Sequence, residues 1–91
     1  MAGGKEMKLP YKVKNVIYYG ERGYYTPDRV NQMLLDGFQE KDGDILIPIG
    51  LSVRLIQDEF GDDDSQFEIG NNIYDLYIDE ALKEEYLEPM F

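Results

Sequence analysis

The chain has 91 residues, no cysteine, no histidine and no tryptophan, and its net charge is −10. This length allows one domain with a modest core. Lack of cysteine excludes disulfides and thiolate metal sites, and lack of histidine removes the commonest general base and zinc ligand. No apolar run approaches the roughly 18 residues of a membrane span, so we expect a protein of the cytoplasm.

The negative charge is concentrated in the last two thirds of the chain. Residues 1–30 carry six basic and three acidic side chains (+3), whereas residues 31–91 carry three basic and sixteen acidic ones (−13). The densest stretch is 58–68, which has six carboxylates and no cation. Such a surface repels nucleic acid and anionic membranes and attracts basic proteins.

In chain order, residues 1–8 are predicted to be a flexible tail and residues 9–91 a single domain. The β-branched and aromatic residues of 11–19 predict a strand. Tyrosine pairs at 18–19 and 24–25 flank Gly20-Glu21-Arg22-Gly23, a pattern that favours a short hairpin.

A helix is predicted to begin after Thr26, because threonine is a good N-cap and Pro27 suits the first helical position. Its apolar face would carry Val30, Met33, Leu34 and Phe38, and residues 41–44, with Gly43 in a left-handed conformation, would end it. Residues 45–49 read as a short buried strand whose Pro48 belongs at an edge or an end.

Two later segments are ambiguous. Residues 52–60 are either a strand, from the alternation of Leu51, Val53 and Leu55, or a helix capped by Ser52, which we favour. Residues 67–69 predict a short strand. Residues 73–78 alternate as a strand would, but the spacing to residue 87 also fits a helix capped by Asn72, and we prefer the helix.

These elements predict an α+β fold: a short antiparallel sheet, made of the N-terminal hairpin and one or two further strands, packed with two or three helices.

Several sites can be weighed against simpler interpretations. A calcium loop that starts at Asp62 would have Phe67 where glycine is required, which rejects an EF-hand. Asp42-Gly43-Asp44 is more typical of a turn than of a metal-nucleotide site. Arg22 or Arg29 could help to bind an anion at the start of the predicted helix, but Asp28 already places a negative charge at that end. We expect no catalytic residue, no cofactor and no metal, and hence no enzyme.

The tyrosines and the C-terminal tip offer a second kind of contact. Tyr18, Tyr19, Tyr24 and Tyr25 are expected mainly in cross-strand pairs and core, although tyrosine is also a common interface anchor. Leu87, Met90 and Phe91 form an apolar tip that would dock on the chain's own core or on a second copy.

The carboxylates remain as the main candidate for a binding surface. The predicted partner-binding residues are those of the acidic stretch and of the expected C-terminal helix: Asp58, Glu59, Asp62, Asp63, Asp64, Glu68, Asp75, Asp79 and Glu84. In composition the chain resembles small acidic inhibitors, many encoded by phages, that imitate DNA, although no motif carries that resemblance. The resemblance implies a viral inhibitor, acting in the host cytoplasm, that covers the basic nucleic-acid-binding surface of a partner protein.

The alternative is a non-catalytic assembly module that homodimerises, or docks in a larger complex, through its tyrosines and apolar tip. In that case the acidity serves solubility. Binding that weakens steeply with salt would favour the inhibitor, and binding insensitive to salt would favour the module.

Overall fold

The computed structural model describes residues 7–57 and 65–91, apart from the side chain of Glu80. This part of the chain is mostly β, with eight strands in two antiparallel sheets. The first sheet has the order β7–β6–β5–β1–β8, with β1 at Met7–Val13, β5 at Ser52–Gln57, β6 at Gln66–Ile69, β7 at Asn72–Asp75 and β8 at Leu87–Pro89. The second has the order β2–β4–β3, with β2 at Ile17–Glu21, β3 at Gln39–Lys41 and β4 at Asp44–Ile47.

The helical elements are few and mostly short. Helix α1 is Pro27–Leu35, and α2 is the single turn Lys83–Tyr86. Two 3₁₀ turns lie at Arg22–Tyr24 and Glu80–Leu82. In the described ranges, no helix combines the length and hydropathy of a membrane span.

The core lies where α1 and the inner faces of the two sheets meet. In β5, Val53 and Leu55 are buried while Arg54 between them is exposed, as the two-residue period of a strand requires. The same alternation buries side chains of β1, β4, β6 and β7, and α1 contributes Val30 and Met33. The chain thus forms one continuous hydrophobic core.

Helix α1 begins where the sequence predicts. The Thr26 hydroxyl accepts a hydrogen bond from the Arg29 N–H at 3.2 Å, which satisfies one free donor of the first turn. The helix ends earlier than predicted, because the Gly37 N–H donates to Leu34 and the Phe38 N–H donates to Met33. This is a Schellman cap with Gly37 at its left-handed position, and it leaves Leu34 partly exposed.

The predicted α+β fold with two or three packed helices is wrong, because two segments favoured as helices form strands. Residues 52–57 are β5, which pairs with β1 along six residues and also with β6. A central strand with neighbours on both sides gains two hydrogen-bonded ladders, and this outweighs the helical cap that Ser52 offers.

The expected helix over 73–87 is wrong for the same reason. Asn72 does not cap a helix; its side-chain amide donates to Asp36 at 2.8 Å, and residues 72–75 pair with β6 as strand β7. Helical structure appears only after Asp79, and it gives way to β8, where Pro89 occupies an edge strand. Proline is tolerated there because an edge strand needs fewer backbone donors.

The predicted hairpin at residues 20–23 is also wrong. Strand β2 pairs with β4, and the chain after Glu21 makes a 3₁₀ turn towards α1. A hairpin does occur at Asp42-Gly43, which the sequence analysis assigned to a helix end. Both residues have positive φ, 54° and 84°, as a two-residue type I′ turn requires, so Gly43 does adopt the predicted left-handed conformation.

The termini of the domain are both tied to β1. Strand β1 begins at Met7, two residues before the predicted start of the domain, and Met7 pairs with Gln57. At the C-terminus Leu87 is buried, and the Phe91 ring meets the Tyr11 ring edge-on at 5.5 Å between centroids. The apolar tip therefore docks, at least in part, on the chain's own core.

We predict that Gly43→Ala destabilises the protein by about 1 kcal/mol, because a residue with a Cβ atom is strained at φ 84°. Gly23→Ala is the matched control, since nothing lies within 4 Å of the position of its Cβ. Urea unfolding followed by circular dichroism measures both free energies. Equal stability of the two variants would contradict the type I′ assignment.

Candidate protein-binding surface

The net charge of the protein resides in two segments. Residues 58–64 hold five carboxylates and no base (−5), and residues 75–88 hold six carboxylates and Lys83 (−5). Together these account for the whole net charge of −10, so the rest of the chain is neutral. The electrostatic field of the protein must therefore originate mainly from these two segments.

Both segments join the same end of the five-stranded sheet. Strand β5 ends at Gln57, beside the first residue of β1, and β6 begins at Gln66, which pairs with Asp75 at the end of β7. The Leu76 N–H continues this ladder by donating to the Ser65 carbonyl at 2.7 Å. The acidic stretch therefore connects β5 to β6, and the segment 75–88 continues from β7, the strand on the other side of β6.

The predicted partner-binding residues have different locations. Asp58, Glu59, Asp62, Asp63 and Asp64 lie outside the described residues. Asp75 ends β7, Asp79 precedes the second 3₁₀ turn and Glu84 lies in α2; all three are exposed. They follow one another along an extended segment and a single helical turn, so the regular acidic stripe of a long helix does not form.

Glu68 differs from the other predicted residues because cations surround it. It accepts from Lys8 at 3.3 Å and from Arg54 at 2.6 Å, across neighbouring strands of the sheet. Burial acts to raise the pKa of Glu68, but the hydrogen bond from Lys8 and the charge of Arg54 outweigh it and lower the pKa. Glu68 is thus held in a local ion-pair cluster, unlike the segment 75–88, whose net charge is −5.

An exposed stripe of two carboxylates and a tyrosine follows β7. Asp75, Tyr77 and Asp79, which we call the 75–79 stripe, are exposed, while Leu76 is buried and Ile78 half-buried. This alternation continues the period of β7, so the three stripe residues share one side of the chain. Tyr77 is 87% exposed, which makes it one of the most accessible aromatic rings in the described part of the chain.

The stripe borders a groove between the two sheets. One hollow, of about 470 Å³, is lined by residues 17–19 of β2 and 75–78 after β7, together with Tyr25. A second, of about 380 Å³, shares Ile17, Tyr18, Tyr77 and Ile78 and extends towards α2. We call the two together the β2–β7 groove.

The groove has a negative rim. The pKa of the Tyr18 hydroxyl is raised above its ordinary value. Loss of hydration is the largest cause, and the negative charges of Asp44 and Glu21 add to it. Asp75 and Asp79 lie on the opposite side, and neither hollow is lined by a lysine or arginine among the described residues. An aromatic surface surrounded by carboxylates is suited to bind cationic side chains.

Beneath the groove, aromatic rings connect the two sheets. The Tyr19 ring stacks on Tyr25 with centroids 5.9 Å apart, and it meets the rings of Phe38 and Tyr74 edge-on at 5.2 and 6.0 Å. Arg29 lies over the Tyr74 ring, 4.9 Å from its centroid. Because Tyr19 belongs to β2 and Tyr74 to β7, this cluster fixes the separation of the two groove walls.

Asp36 anchors this cluster and is the only buried carboxylate among the described residues, at 7% exposure. It accepts hydrogen bonds from the Tyr74 hydroxyl at 2.6 Å, the Asn72 amide at 2.8 Å and the Asn71 N–H at 3.2 Å. Gly70 packs so closely that a side chain there would collide with the Asp36 carboxylate. The end of α1 is thereby fastened to the β6–β7 turn.

The ionisation states of Asp36 and its partner Tyr74 favour a structural role for both. Burial acts to raise the pKa of Asp36, but the hydrogen bonds from Tyr74, Asn72 and Asn71 outweigh burial and lower it. Burial, together with the hydrogen bond to Asp36, raises the pKa of Tyr74 to about 12. At neutral pH Asp36 is therefore charged and Tyr74 neutral, so neither group exchanges a proton readily.

The other candidate sites have structural explanations. Arg22 pairs with Glu40 at 3.1 Å, and Arg29 is engaged with Tyr74, so neither cation is reserved for an anion at the start of α1. Asp42 and Asp44 flank the turn glycine of the β3–β4 hairpin. Over the described ranges, no group of three side chains is arranged to hold a metal ion.

Sequence reasoning missed the groove tyrosines as a pair. Tyr18 was expected mainly in a cross-strand pair or the core but is 58% exposed, and Tyr77 was not singled out. The strand-like alternation of residues 73–78 was the available signal, since it places Tyr77 beside Asp75 and Asp79 on one side. Preference for a helix concealed it.

Comparison with known proteins adds no relative: no family model, no curated protein and no solved structure matches this chain. Function must therefore be inferred from the chain's own geometry and charge.

We predict that Asp36→Asn lowers the free energy of unfolding at pH 7 by about 2–3 kcal/mol, because an amide nitrogen would face a hydrogen-bond donor. The folded-state pKa of Asp36 lies below its unfolded value, so its contribution is present above the unfolded pKa and is lost as pH falls through the folded one. The stability difference between wild type and variant should therefore shrink below about pH 4.

Urea unfolding between pH 7 and pH 2.5 measures this difference. Asp28→Asn, which removes an exposed carboxylate from the same helix, should cost less than about 1 kcal/mol. If wild type and Asp36→Asn kept a constant difference down to the lowest pH, the account of Asp36 would be wrong.

Proposed function

We propose that this protein is a non-catalytic binding protein whose acidic surface covers the basic, nucleic-acid-binding surface of a partner protein and so inhibits it. The observation that carries the proposal is the concentration of the whole net charge in residues 58–64 and 75–88, which join one end of one sheet. A solvated surface that served solubility alone would need no such concentration.

The sign of the field determines the class of partner. Duplex DNA carries about one negative charge per 1.7 Å of axis, so a surface of the same sign repels it. A protein that binds DNA or RNA presents clustered lysine and arginine, which an acidic surface attracts over about a Debye length. This protein and the nucleic acid would then compete for the same lysine and arginine side chains of the partner.

The exposed tyrosines give this surface more than charge. Exposed ion pairs contribute only about 0.2–1 kcal/mol each, so charge alone yields weak and unspecific binding. Tyr77 lies between two carboxylates on the 75–79 stripe, and Tyr18 lies across the groove. Tyrosine adds contact area and a ring face for cations, and is frequent among residues that dominate binding energy.

The second candidate function is an assembly module that forms homodimers. Exposure of Met90 and Phe91, at 52% and 70%, favours it, since these apolar side chains remain accessible although Leu87 is buried. The two functions differ in salt dependence. A dimer held by apolar contacts persists at high salt, whereas capture of a basic protein weakens as salt rises.

We predict that the triple variant Asp75→Asn, Asp79→Asn, Glu84→Gln weakens partner binding about tenfold and leaves the fold intact. All three side chains are exposed, and asparagine at 79 retains the oxygen that accepts from the Ala81 N–H. The matched control is Asp28→Asn, Glu40→Gln, Asp42→Asn, which makes the same change in net charge on α1 and the β3–β4 hairpin.

The measurement is capture from a cell lysate on immobilised wild type, triple variant and control, followed by elution in rising salt. A nucleic-acid-binding protein retained by wild type and control but not by the triple variant supports the proposal. Equal loss from both variants would mean that net charge, rather than this surface, is responsible. Self-capture alone, unaffected by salt, would favour the assembly module.

A further inference from the structure

The groove is bounded by two strand edges that have no partner in the described part of the chain. Strand β2 is the outer strand of the second sheet, and β7 is the outer strand of the first. Outer strands expose a row of N–H and C=O groups that can pair with another chain.

The residues that line the groove show that it meets these edges rather than the strand faces. One hollow is lined by three consecutive residues of β2 and by four consecutive residues from Asp75. Successive side chains of a strand point to opposite faces, so a hollow that contacts consecutive residues must run along the edge. Within the described residues, the backbone of Tyr77 and Ile78 makes no hydrogen bond to another backbone group.

The other two edges are protected. Strand β3 has three residues, all exposed, and includes Lys41; β8 also has three and includes Pro89. Short length, lysine and proline are the features that natural proteins use to prevent pairing at an edge. Strand β2 has five residues and lacks lysine and proline, although a bulge at Tyr19 interrupts its ladder with β4 and the Tyr19 carbonyl accepts from the Tyr25 hydroxyl at 3.3 Å. The part of this edge that remains for pairing is therefore the stretch before the bulge, Ile17 and Tyr18, which lines both hollows of the groove.

We propose that the β2–β7 groove binds an extended, basic segment of the partner protein, which pairs with the edge of β2 as an added strand. Lysine or arginine side chains of this segment would lie against Tyr18 and Tyr77 and pair with Asp75 and Asp79. Aliphatic side chains at the alternate positions would contact Ile17 and Ile78. This inference rests on the proposed function and assigns its binding mode.

Charge complementarity selects this occupant over a second copy of the chain. The carboxylates of Glu21 and Asp44 act on Tyr18 from one side, and those of the 75–79 stripe lie on the other. The β2 strand of a second copy carries Glu21 and no lysine or arginine, so it would add negative charge to the negative rim, and like charges repel. A cationic strand relieves the repulsion instead.

The test uses a fluorescein-labelled peptide in which arginine and valine alternate, with binding followed by fluorescence anisotropy. Two further versions carry backbone N-methyl groups on alternate residues, one on the arginines and one on the valines. Because alternate N–H groups of a strand point to the same neighbour, at least one methylated version should bind about tenfold more weakly. All three peptides have the same charge.

Protein variants provide the second arm. Tyr77→Ala should weaken binding of the alternating peptide about fivefold. Tyr24→Ala, which removes a ring of similar exposure that lines neither hollow of the groove, should change binding by less than about twofold. Both replaced rings are largely exposed, so neither variant should unfold.

Three results would overturn the inference. If both methylated peptides bind as well as the parent, strand addition is wrong, although charge-driven binding would still stand. If no peptide binds, while lysate capture still distinguishes the triple variant with three carboxylates removed from its control, the groove is not the binding site but the proposed function still stands. If the protein alone sediments as a dimer that Tyr77→Ala dissociates, the occupant is a second copy.

Discussion

The buried Asp36 carboxylate is the contact on which the arrangement of the surface depends. Its three hydrogen bonds fasten the end of α1 to the β6–β7 turn, and its partner Tyr74 continues into the ring cluster with Tyr19 and Phe38. A buried charge is costly unless it is fully satisfied, and this one is. The position of β7 relative to β2, and hence the width of the groove, follows from this contact.

This connection explains how a small domain can hold an acidic surface in a defined shape. Repulsion among carboxylates opposes their accumulation, and the residues from 75 onward carry six of them. They are retained because the uncharged side of the same segment is buried: Tyr74 and Leu76 belong to the core, and Leu87 returns the chain to β1. Core packing thus compensates for the electrostatic cost of the stripe, whose three side chains remain exposed.

Some local features of the fold could be predicted from local signals. Thr26-Pro27 predicted the start of α1, and the left-handed conformation predicted for Gly43 is confirmed, although the hairpin predicted at residues 20–23 does not form. The long-range features were not predictable in the same way. Residues 52–57 and 73–75 had patterns that fit either element, and only pairing with β1 and β6, far away in sequence, selected the strand. Asn72 illustrates the point, because a good helix cap instead binds Asp36.

The candidate surface was predictable in composition but not in shape. The distribution of charge was enough to select Asp75, Asp79 and Glu84 as candidates. The preference for a helix then placed all three on one long helix, which does not form. Glu68 could not be separated from them by sequence, since its partners Lys8 and Arg54 lie on other strands. The groove depends on Tyr18 and Tyr77, which are distant in sequence and come together only because two sheet edges meet.

The most direct test of the account is whether the partner can hold this protein and nucleic acid together. The partner captured from lysate would be bound to a fluorescent duplex, or to RNA if that is its ligand, and titrated with this protein at several salt concentrations. We expect displacement of the nucleic acid, with an affinity between the partner and this protein that falls as salt rises. A stable ternary complex, with the nucleic acid still bound at a saturating concentration of this protein, would contradict the proposed inhibition.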